Sequence, residues 1–166
     1  IKTAATSVTA VDSIFRSGNQ FFARLATGIL KPKAKILGTE FSGTVESVGT
    51  NVKLFNPGDE IFGQRTGESG THAEYILLHD NQPIISKPEN LSFEEASVLP
   101  YGFLTALPFL RDEGKIKNGD KILIIGAAGA VGSYAVQLAK YFGAEVTGVC
   151  SSSSAEFVKS LGADTI

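Results

Sequence analysis

The sequence has no methionine and a single cysteine, Cys150, among its 166 residues. One cysteine excludes a disulfide scaffold and any zinc site built from several cysteines, and it favours a reducing compartment, which we take to be the cytoplasm. Lys and Arg number 15 against 17 Asp and Glu, so no basic surplus points to nucleic acid or to an anionic membrane. A chain that begins at Ile1 without methionine is expected to be part of a longer translation product.

The longest uncharged run covers positions 122–139, and its 18 residues are near the lower limit for a bilayer-spanning helix. Gly126, Gly129 and Gly132 interrupt the run, and its two ends have different hydrophobic periodicities. We therefore predict a soluble segment and no membrane partner.

Residues 1–85 have the pattern of short β-strands separated by turns. Strand-like runs lie at 1–10, 38–48, 60–64 and 73–78, and the cluster Asn56-Pro57-Gly58-Asp59 predicts a turn between two of them. Short strands at this spacing predict a small barrel or sandwich.

Residues 90–113 carry helix signals instead. Ser92 and Glu95 have the spacing of a capping box, which predicts a helix start. Pro100 is expected to interrupt this helix, and Pro108 is expected to kink a later helix or to mark its beginning. Residues 118–120, Asn-Gly-Asp, predict a turn.

From residue 121 onward, strand and helix patterns alternate. Positions 121–125 read KILII, a continuous apolar run typical of a buried parallel strand, and positions 145–149 predict a second strand. Between them Val131, Ala135, Leu138 and Phe142 recur at helical spacing, with Gly143 as the expected C-cap.

A second helix is predicted after residue 149. Ser153 and Glu156 have capping-box spacing, Phe157 and Leu161 share a helix face, and Gly162 ends it. Positions 163–166 predict the entry to a third strand. This order predicts about half of a doubly wound parallel sheet, in which strand 121–125 has neighbours on both sides. We expect the second neighbour to lie in a C-terminal portion beyond residue 166.

The motif GAAGAVG at 126–132 follows a predicted buried strand and opens a predicted helix. Backbone N–H groups and the helix dipole attract a pyrophosphate at such a turn, and small residues permit its approach. The candidate cofactor-binding residues are Gly126, Ala127, Ala128, Gly129, Ala130, Val131 and Gly132. The alternative is a glycine-rich turn without a ligand.

The end of the second predicted strand favours NADP over NAD. An acidic residue there would bind a ribose 2′-hydroxyl, but the sequence continues with Cys150 and four serines. Ser151 and Ser152, with the following helix start, are candidates for binding a 2′-phosphate; alternatively, the serines only cap the helix. Cys150 is expected to be a small buried residue, because no histidine is near it in sequence.

Three stretches together resemble the medium-chain dehydrogenase/reductase superfamily, and within it the zinc-free quinone oxidoreductase-like branch. Residues 38–43, GTEFSG, with Gly49 and Val52, resemble the signature GHExxGxxxxxGxxV. Residues 119–140, GDKILIIGAAGAVGSYAVQLAK, resemble the quinone oxidoreductase signature, with Ala130 where glycine is usual. Residues 146–164 resemble the second strand and helix of that family.

The resemblance implies an α/β plus β architecture in two parts. A GroES-like β-barrel catalytic domain would cover 1–113, without its N-terminal strand, and the first half of a doubly wound Rossmann NADP-binding domain would cover 114–166. The cleft between the domains would hold nicotinamide and substrate, and the full-length protein would form a homodimer.

The departures from the family bear on metal binding. In zinc-dependent members three positions bind a catalytic metal, and this chain has Thr9, Thr39 and, near the third position, Tyr101. None of these side chains is a zinc ligand at neutral pH, so no metal site is expected. His72 and His79 are expected to have surface or structural roles.

The resemblance therefore implies an NADPH-dependent reductase that transfers hydride to a quinone or an α,β-unsaturated carbonyl without zinc. Tyr101 and Thr39 are the candidate catalytic donors to the developing enolate, and Thr105 is the candidate nicotinamide contact. Glu40 and Asp12 are candidate supporting residues, Asp12 equally a structural one, while Tyr101 could instead be an aromatic cleft wall. The alternatives are a non-catalytic interaction or structural protein and a zinc-type alcohol dehydrogenase.

Overall fold

The computed structural model describes residues 1–17, 35–67 and 69–166, which form two compact units, Ile1–Pro100 and Tyr101–Ile166. Residues 101–113, assigned on sequence grounds to the first domain, pack with the second unit. Packing alone does not define a functional domain, so the boundary after residue 113 stays a prediction. The predicted β-region 1–85 includes positions 18–34 and 68, which lie outside the described residues.

The first unit is built on one antiparallel sheet with the strand order β1-β2-β3-β4. The strands are β1 (Lys2–Ala5), β2 (Glu40–Thr44), β3 (Glu60–Gln64) and β4 (Ile84–Ser86). Its core comprises Phe41, Val45, Ile61 and Ile76. The predicted strand at 60–64 is confirmed, whereas the strand predicted at 38–48 covers only Glu40–Thr44; just after it, the Val45 N–H donates to the Asp59 carbonyl.

One strand prediction in the first unit is wrong, and another gives a strand that is too long. Segment 73–78 contributes only an isolated bridge between Tyr75 and Lys2. The backbone just before it is committed elsewhere, because the N–H groups of Gly70 and Thr71 both donate to the Gly38 carbonyl. The strand predicted over 1–10 ends at Ala5, and helix α1 (Ala10–Ser17) follows instead.

Two short helices lie near the end of the first unit and the start of the second. Helix α2 (Phe93–Ser97) begins with the predicted capping box: the Glu95 N–H donates to Ser92 Oγ at 3.1 Å, and the Ser92 N–H donates to Glu95 Oε2 at 2.9 Å. Helix α3 (Leu99–Pro108) tolerates Pro100 in its first turn, where no N–H is needed. Pro108 is the last residue of α3 and the N-cap of the π-helical turn Phe109–Glu113, so the helix changes type at this proline.

The second unit contains a parallel pair of strands, β5 (Lys121–Ile125) and β6 (Glu145–Val149), with the predicted bounds. They pair in register from Lys121 with Glu145 to Ile125 with Val149. A parallel bridge between Thr147 and Thr165 confirms the entry to a third strand. Within the described ranges β5 pairs with β6 alone, and the second neighbour expected for it stays a prediction.

Helices α4 (Gly132–Tyr141) and α5 (Ala155–Ser160) connect these strands, and their buried faces agree in part with the predicted ones: Leu138 is buried, and Ala135 and Leu161 pack against the core. Val136 and Ala139 of α4 are fully buried, because the buried face continues from Gly132 at helical spacing. In α5 the fully buried residue is Val158, while the predicted Phe157 is half exposed. Over the described residues, no helix has the length and hydropathy that a bilayer crossing requires.

Candidate functional site

The turn after β5 is fixed to the end of β6 by backbone hydrogen bonds. The N–H groups of Gly126 and Ala127 both donate to the Val149 carbonyl, at 2.9 and 3.0 Å. Ala127 is completely buried, so the turn is anchored in the core at this point. These bonds place residues 126–132 and the loop that begins at Cys150 at the same edge of the sheet, where ligands of parallel α/β sheets bind.

The three glycines of the turn are needed for different physical reasons. Gly126 has φ +75°, a conformation that L-residues rarely adopt. A Cβ on Gly132 would overlap the Gly126 carbonyl oxygen and lie 2.9 Å from Ala127 Cα, so only glycine permits α4 to begin so close to the strand end. Gly129 is exposed, and its added Cβ would meet only the Gly126 oxygen at 3.2 Å. The turn is therefore both tight and open to a ligand.

Several backbone N–H groups of the turn are available to an anion. Among the described residues, those of Ala128, Ala130 and Val131 donate to no backbone carbonyl. They lie where α4 begins, so the positive end of its dipole adds to their attraction for negative charge. The donor set and the small side chains fit a pyrophosphate.

Serine hydroxyls cluster beside this turn. Ser151 Oγ lies 3.0 Å from Ser153 Oγ and 3.1 Å from Ser154 Oγ. Ser152 is exposed at the same loop, and Cys150, partly buried, packs against the core of the second unit, as predicted. Three convergent hydroxyls form a polar surface without a carboxylate at the end of β6.

The predicted capping box at this loop is wrong. Ser153 lies in a 3-10 turn, Ser152–Ser154, and Ser154 occupies the N-cap position of α5 without a side-chain cap bond. The Ser153 hydroxyl instead points toward Ser151, and Glu156 forms an ion pair with Lys159 at 3.5 Å. The serine hydroxyls are therefore not committed to capping the helix.

Helix α3 carries two candidate residues one turn apart. Thr105 Oγ1 donates to the Tyr101 carbonyl at 2.6 Å, and both residues are half-buried. Because the hydroxyl proton of Thr105 is used inside the helix, its oxygen is left as a hydrogen-bond acceptor.

In the first unit, the carboxylate of Asp12 joins the start of α1 to the loop before β2. Asp12 Oδ2 accepts from the Thr9 N–H at 2.8 Å and from the Thr9 hydroxyl at 2.9 Å, and Oδ1 accepts from the Gly38 N–H at 3.0 Å. Thr9 and Asp12 have capping-box spacing, so this contact and α1 had a sequence signal that the strand prediction overlooked.

The carboxylate of Asp12 is held in its ionised form at neutral pH. Its burial opposes ionisation, but the N–H groups of Thr9 and Gly38, the Thr9 hydroxyl and nearby His72 outweigh burial and hold the pKa of Asp12 below its usual value. A carboxylate in this state is a structural acceptor rather than a proton donor.

Replacing Asp12 with alanine is expected to lower the free energy of unfolding by about 2–3 kcal/mol near neutral pH, because the buried N–H of Gly38 and the partly buried N–H of Thr9 lose their acceptor. The folded-state pKa is depressed, so this stabilisation is complete above the unfolded value of about 4 and is lost as pH falls through the folded value. Denaturant unfolding at several pH values measures the difference in the free energy of unfolding between wild type and the variant, and this difference should become smaller in acid. The control is Asp80→Ala, because Asp80 is exposed. An equal loss of stability in both variants would contradict the assignment of Asp12 as a structural acceptor.

The second candidate donor, Thr39, lies between Gly38 and Glu40 at the start of β2. Its carbonyl accepts from the Arg65 N–H at 2.6 Å, and its side chain is half-buried. Glu40 is buried and accepts a hydrogen bond from the Ser7 hydroxyl. The neighbourhood of Thr39 is therefore fixed on both sides by hydrogen bonds.

The two histidines have the expected roles. His72 Nε2 lies 2.9 Å from the Ser7 carbonyl, and His79 is exposed. In the part of the chain that the structure describes, no group of three or more His, Cys, Asp or Glu side chains is arranged to hold a metal ion.

Comparison with known proteins establishes the family. Residues 1–89 match the alcohol dehydrogenase GroES-like domain. The chain belongs to the medium-chain dehydrogenase/reductase superfamily. Its two parts are a GroES-like domain and the start of a Rossmann-like domain, as predicted.

Similar proteins are oxidoreductases. The chain is 36% identical to the mouse protein named NAD(P)H oxidoreductase RTN4IP1, mitochondrial, over 100% of this chain and 45% of that protein. It is 39% identical to 2-methylene-furan-3-one reductase of tomato, Solanum lycopersicum, over 80% of this chain and 36% of that one. The solved quinone oxidoreductase of Coxiella burnetii is 36% identical, with a TM-score of 0.86 over 99% of this chain and 51% of that chain. The chain thus spans between about a third and a half of the length of these relatives. The name of the mouse relative supports a nicotinamide cofactor.

Proposed function

We propose that this chain is part of an NADPH-dependent reductase that delivers hydride to a quinone or an α,β-unsaturated carbonyl without zinc. The observation that carries the proposal is the glycine turn between β5 and α4. Its available N–H groups, at Ala128, Ala130 and Val131, lie at the same sheet edge as the Ser151 hydroxyl cluster. The names of the tomato and Coxiella relatives support the two acceptor classes.

The preference for NADPH rests on the end of β6. An acidic side chain at this position would repel a 2′-phosphate, whereas the Ser151, Ser153 and Ser154 hydroxyls can donate to one. The nearest following carboxylate, Glu156, pairs with Lys159. Ser151 and Ser152 are the proposed contacts of the 2′-phosphate.

We propose a reaction without zinc because of the side chains at the three positions that bind zinc in zinc-dependent members. The Thr9 hydroxyl donates to Asp12, and the side chains of Thr39 and Tyr101 end in hydroxyl groups. Zinc in proteins takes cysteine, histidine or carboxylate ligands. These three residues do not fit a catalytic zinc ion, so no step is assigned to a metal.

The chain's own side chains have separate tasks in this reaction. Bound NADPH would supply the hydride that adds to the carbon β to the acceptor carbonyl, or to the quinone ring. Negative charge then develops on the acceptor oxygen, and the hydroxyl groups of Tyr101 and Thr39 are the proposed donors to it. Thr105, whose proton is held by the Tyr101 carbonyl, is proposed to accept from the nicotinamide carboxamide N–H.

The remaining assignments are also proposals. The substrate is a small molecule, nucleic acid and membrane partners are absent, and the full-length protein is a homodimer in the cytoplasm. The mouse relative is named as a mitochondrial protein.

Replacing Ser151 with aspartate is expected to weaken NADPH binding by roughly 10- to 30-fold, since a charge-assisted hydrogen bond of about 1.5–2 kcal/mol is exchanged for repulsion. NADH has no 2′-phosphate, so its affinity is expected to stay within about twofold of wild type or to improve. Titration of cofactor fluorescence on the full-length protein measures both dissociation constants.

The matched control for this test is Ser160→Asp, because Ser160 is an exposed serine whose hydroxyl donates to the Phe157 carbonyl outside the cluster. It should leave both affinities unchanged. If Ser151→Asp changed the dissociation constants of NADPH and NADH equally, the assignment of NADPH would be contradicted. Failure of the wild-type protein to bind either cofactor would instead favour the non-catalytic interaction protein.

A further inference from the structure

Helix α3 and the glycine turn approach each other at Gly102. This buried residue has no side chain, and a Cβ placed on it would overlap two ring carbons of Tyr134 and lie 2.6 Å from the Ala130 carbonyl oxygen. Tyr134 belongs to the first turn of α4, and Ala130 belongs to the glycine turn itself. The contact therefore exists only because position 102 is glycine.

The same helix carries two proposed site residues beside this contact. Tyr101 precedes Gly102 directly, and Thr105 follows it within one turn, tied to the Tyr101 carbonyl at 2.6 Å. An α-helix moves as a unit over such a short span. The approach at Gly102 thus fixes the distance between these two side chains and the backbone N–H groups of the turn.

We propose that Gly102 is a positioning residue, which sets the spacing between the pyrophosphate-binding turn and the helix that carries Tyr101 and Thr105. This inference rests on the proposed function, in which the pyrophosphate binds at the turn and the nicotinamide reaches α3. The cofactor has a fixed length between these groups. A change in spacing therefore disturbs the nicotinamide end while the adenosine end remains bound.

Alanine at position 102 cannot be absorbed by side-chain movement alone. The Tyr134 ring can rotate away, but the Ala130 oxygen is part of the backbone, so α3 or the turn has to move. A misplacement of about 1 Å at a reacting group costs up to about 100-fold in rate. We therefore expect Gly102→Ala to lower kcat more than it lowers the affinity for the adenosine end of the cofactor.

The test compares Gly102→Ala with wild type in the full-length protein, using NADPH turnover and the binding of adenosine 2′,5′-bisphosphate. This probe carries the adenosine, the 2′-phosphate and the first phosphate of the pyrophosphate, but no nicotinamide. We expect kcat to fall by about tenfold or more, while the dissociation constant of the probe stays within about twofold. Gly49→Ala is the control, because its Cβ would have nothing within 4 Å.

A second variant covers the case in which Gly102→Ala does not fold. Tyr134→Ala opens the same contact without adding atoms, and it is expected to lower kcat with probe affinity unchanged. Unchanged kcat in the folded variants would overturn the proposal, as would a parallel loss of probe affinity and kcat. If wild-type protein bound the probe but transferred no hydride to any acceptor, the proposed function would fail before the spacing was tested.

Discussion

Replacement of Gly132 with alanine is expected to raise the dissociation constant of NADPH by about 100-fold or more, because the turn can no longer hold its phosphate-binding form. The added Cβ would overlap the Gly126 carbonyl oxygen and lie 2.9 Å from both Gly126 C and Ala127 Cα. All of these are backbone atoms, so no side-chain rotation relieves the overlap. Moving α4 away would carry the Val131 N–H out of the turn as well.

The same variant is expected to lose about 1–3 kcal/mol of stability, the usual cost of overpacking a close contact. Calorimetry or denaturant unfolding measures this loss, and cofactor fluorescence measures affinity at a temperature where the variant is folded. The control is Ser133→Ala, which changes the next residue without filling the contact. Wild-type affinity in folded Gly132→Ala would show that the turn does not bind the cofactor.

Replacement of Tyr101 with phenylalanine is expected to lower kcat by about 100-fold with the NADPH dissociation constant unchanged, since one donor to the developing oxyanion is removed. The aromatic ring remains, so packing of α3 is preserved. Steady-state kinetics with a quinone and an enone measure the effect. Tyr141, which is highly exposed at the end of α4, supplies the matched control Tyr141→Phe.

An unchanged kcat in Tyr101→Phe would assign Tyr101 to the wall of the site and remove it as a donor. Thr39 is then the donor that remains, and Thr39→Val tests it in the same assay. The two residues lie in different compact units, so each variant reports on its own surroundings.

The second unit was the more predictable part of the chain. Its strand at 121–125 is an apolar run, and both this strand and the one at 145–149 lie next to local turn and helix signals, so short-range patterns were sufficient. The predicted face of α4 was right at Leu138 and Ala135 but left out Val136 and Ala139, because the close approach at Gly132 brings that side of the helix onto the core as well.

The structure of the first unit was harder to predict, because it depends on contacts between residues that are distant in sequence. The segment at 73–78 alternates like a strand, but the bonds of Thr71 to the Gly38 carbonyl leave it a single bridge. The Asp12–Gly38 bond joins positions 26 residues apart, which no local pattern reveals. The close contact of Gly102 could not be predicted from sequence either, because its neighbours Ala130 and Tyr134 are distant along the chain.

The central claim is that hydride passes from NADPH to a conjugated acceptor without a metal. The most direct measurement uses the full-length protein, dialysed against a chelator, with NADPH deuterated at the transferred position and an enone acceptor, whose product keeps the label on carbon; with a quinone, where the label exchanges with water, NADPH oxidation is followed instead. We predict deuterium in the reduced product, at a rate that added zinc does not change. Transfer that occurs only after zinc is restored, or no transfer to either acceptor class, would contradict the account.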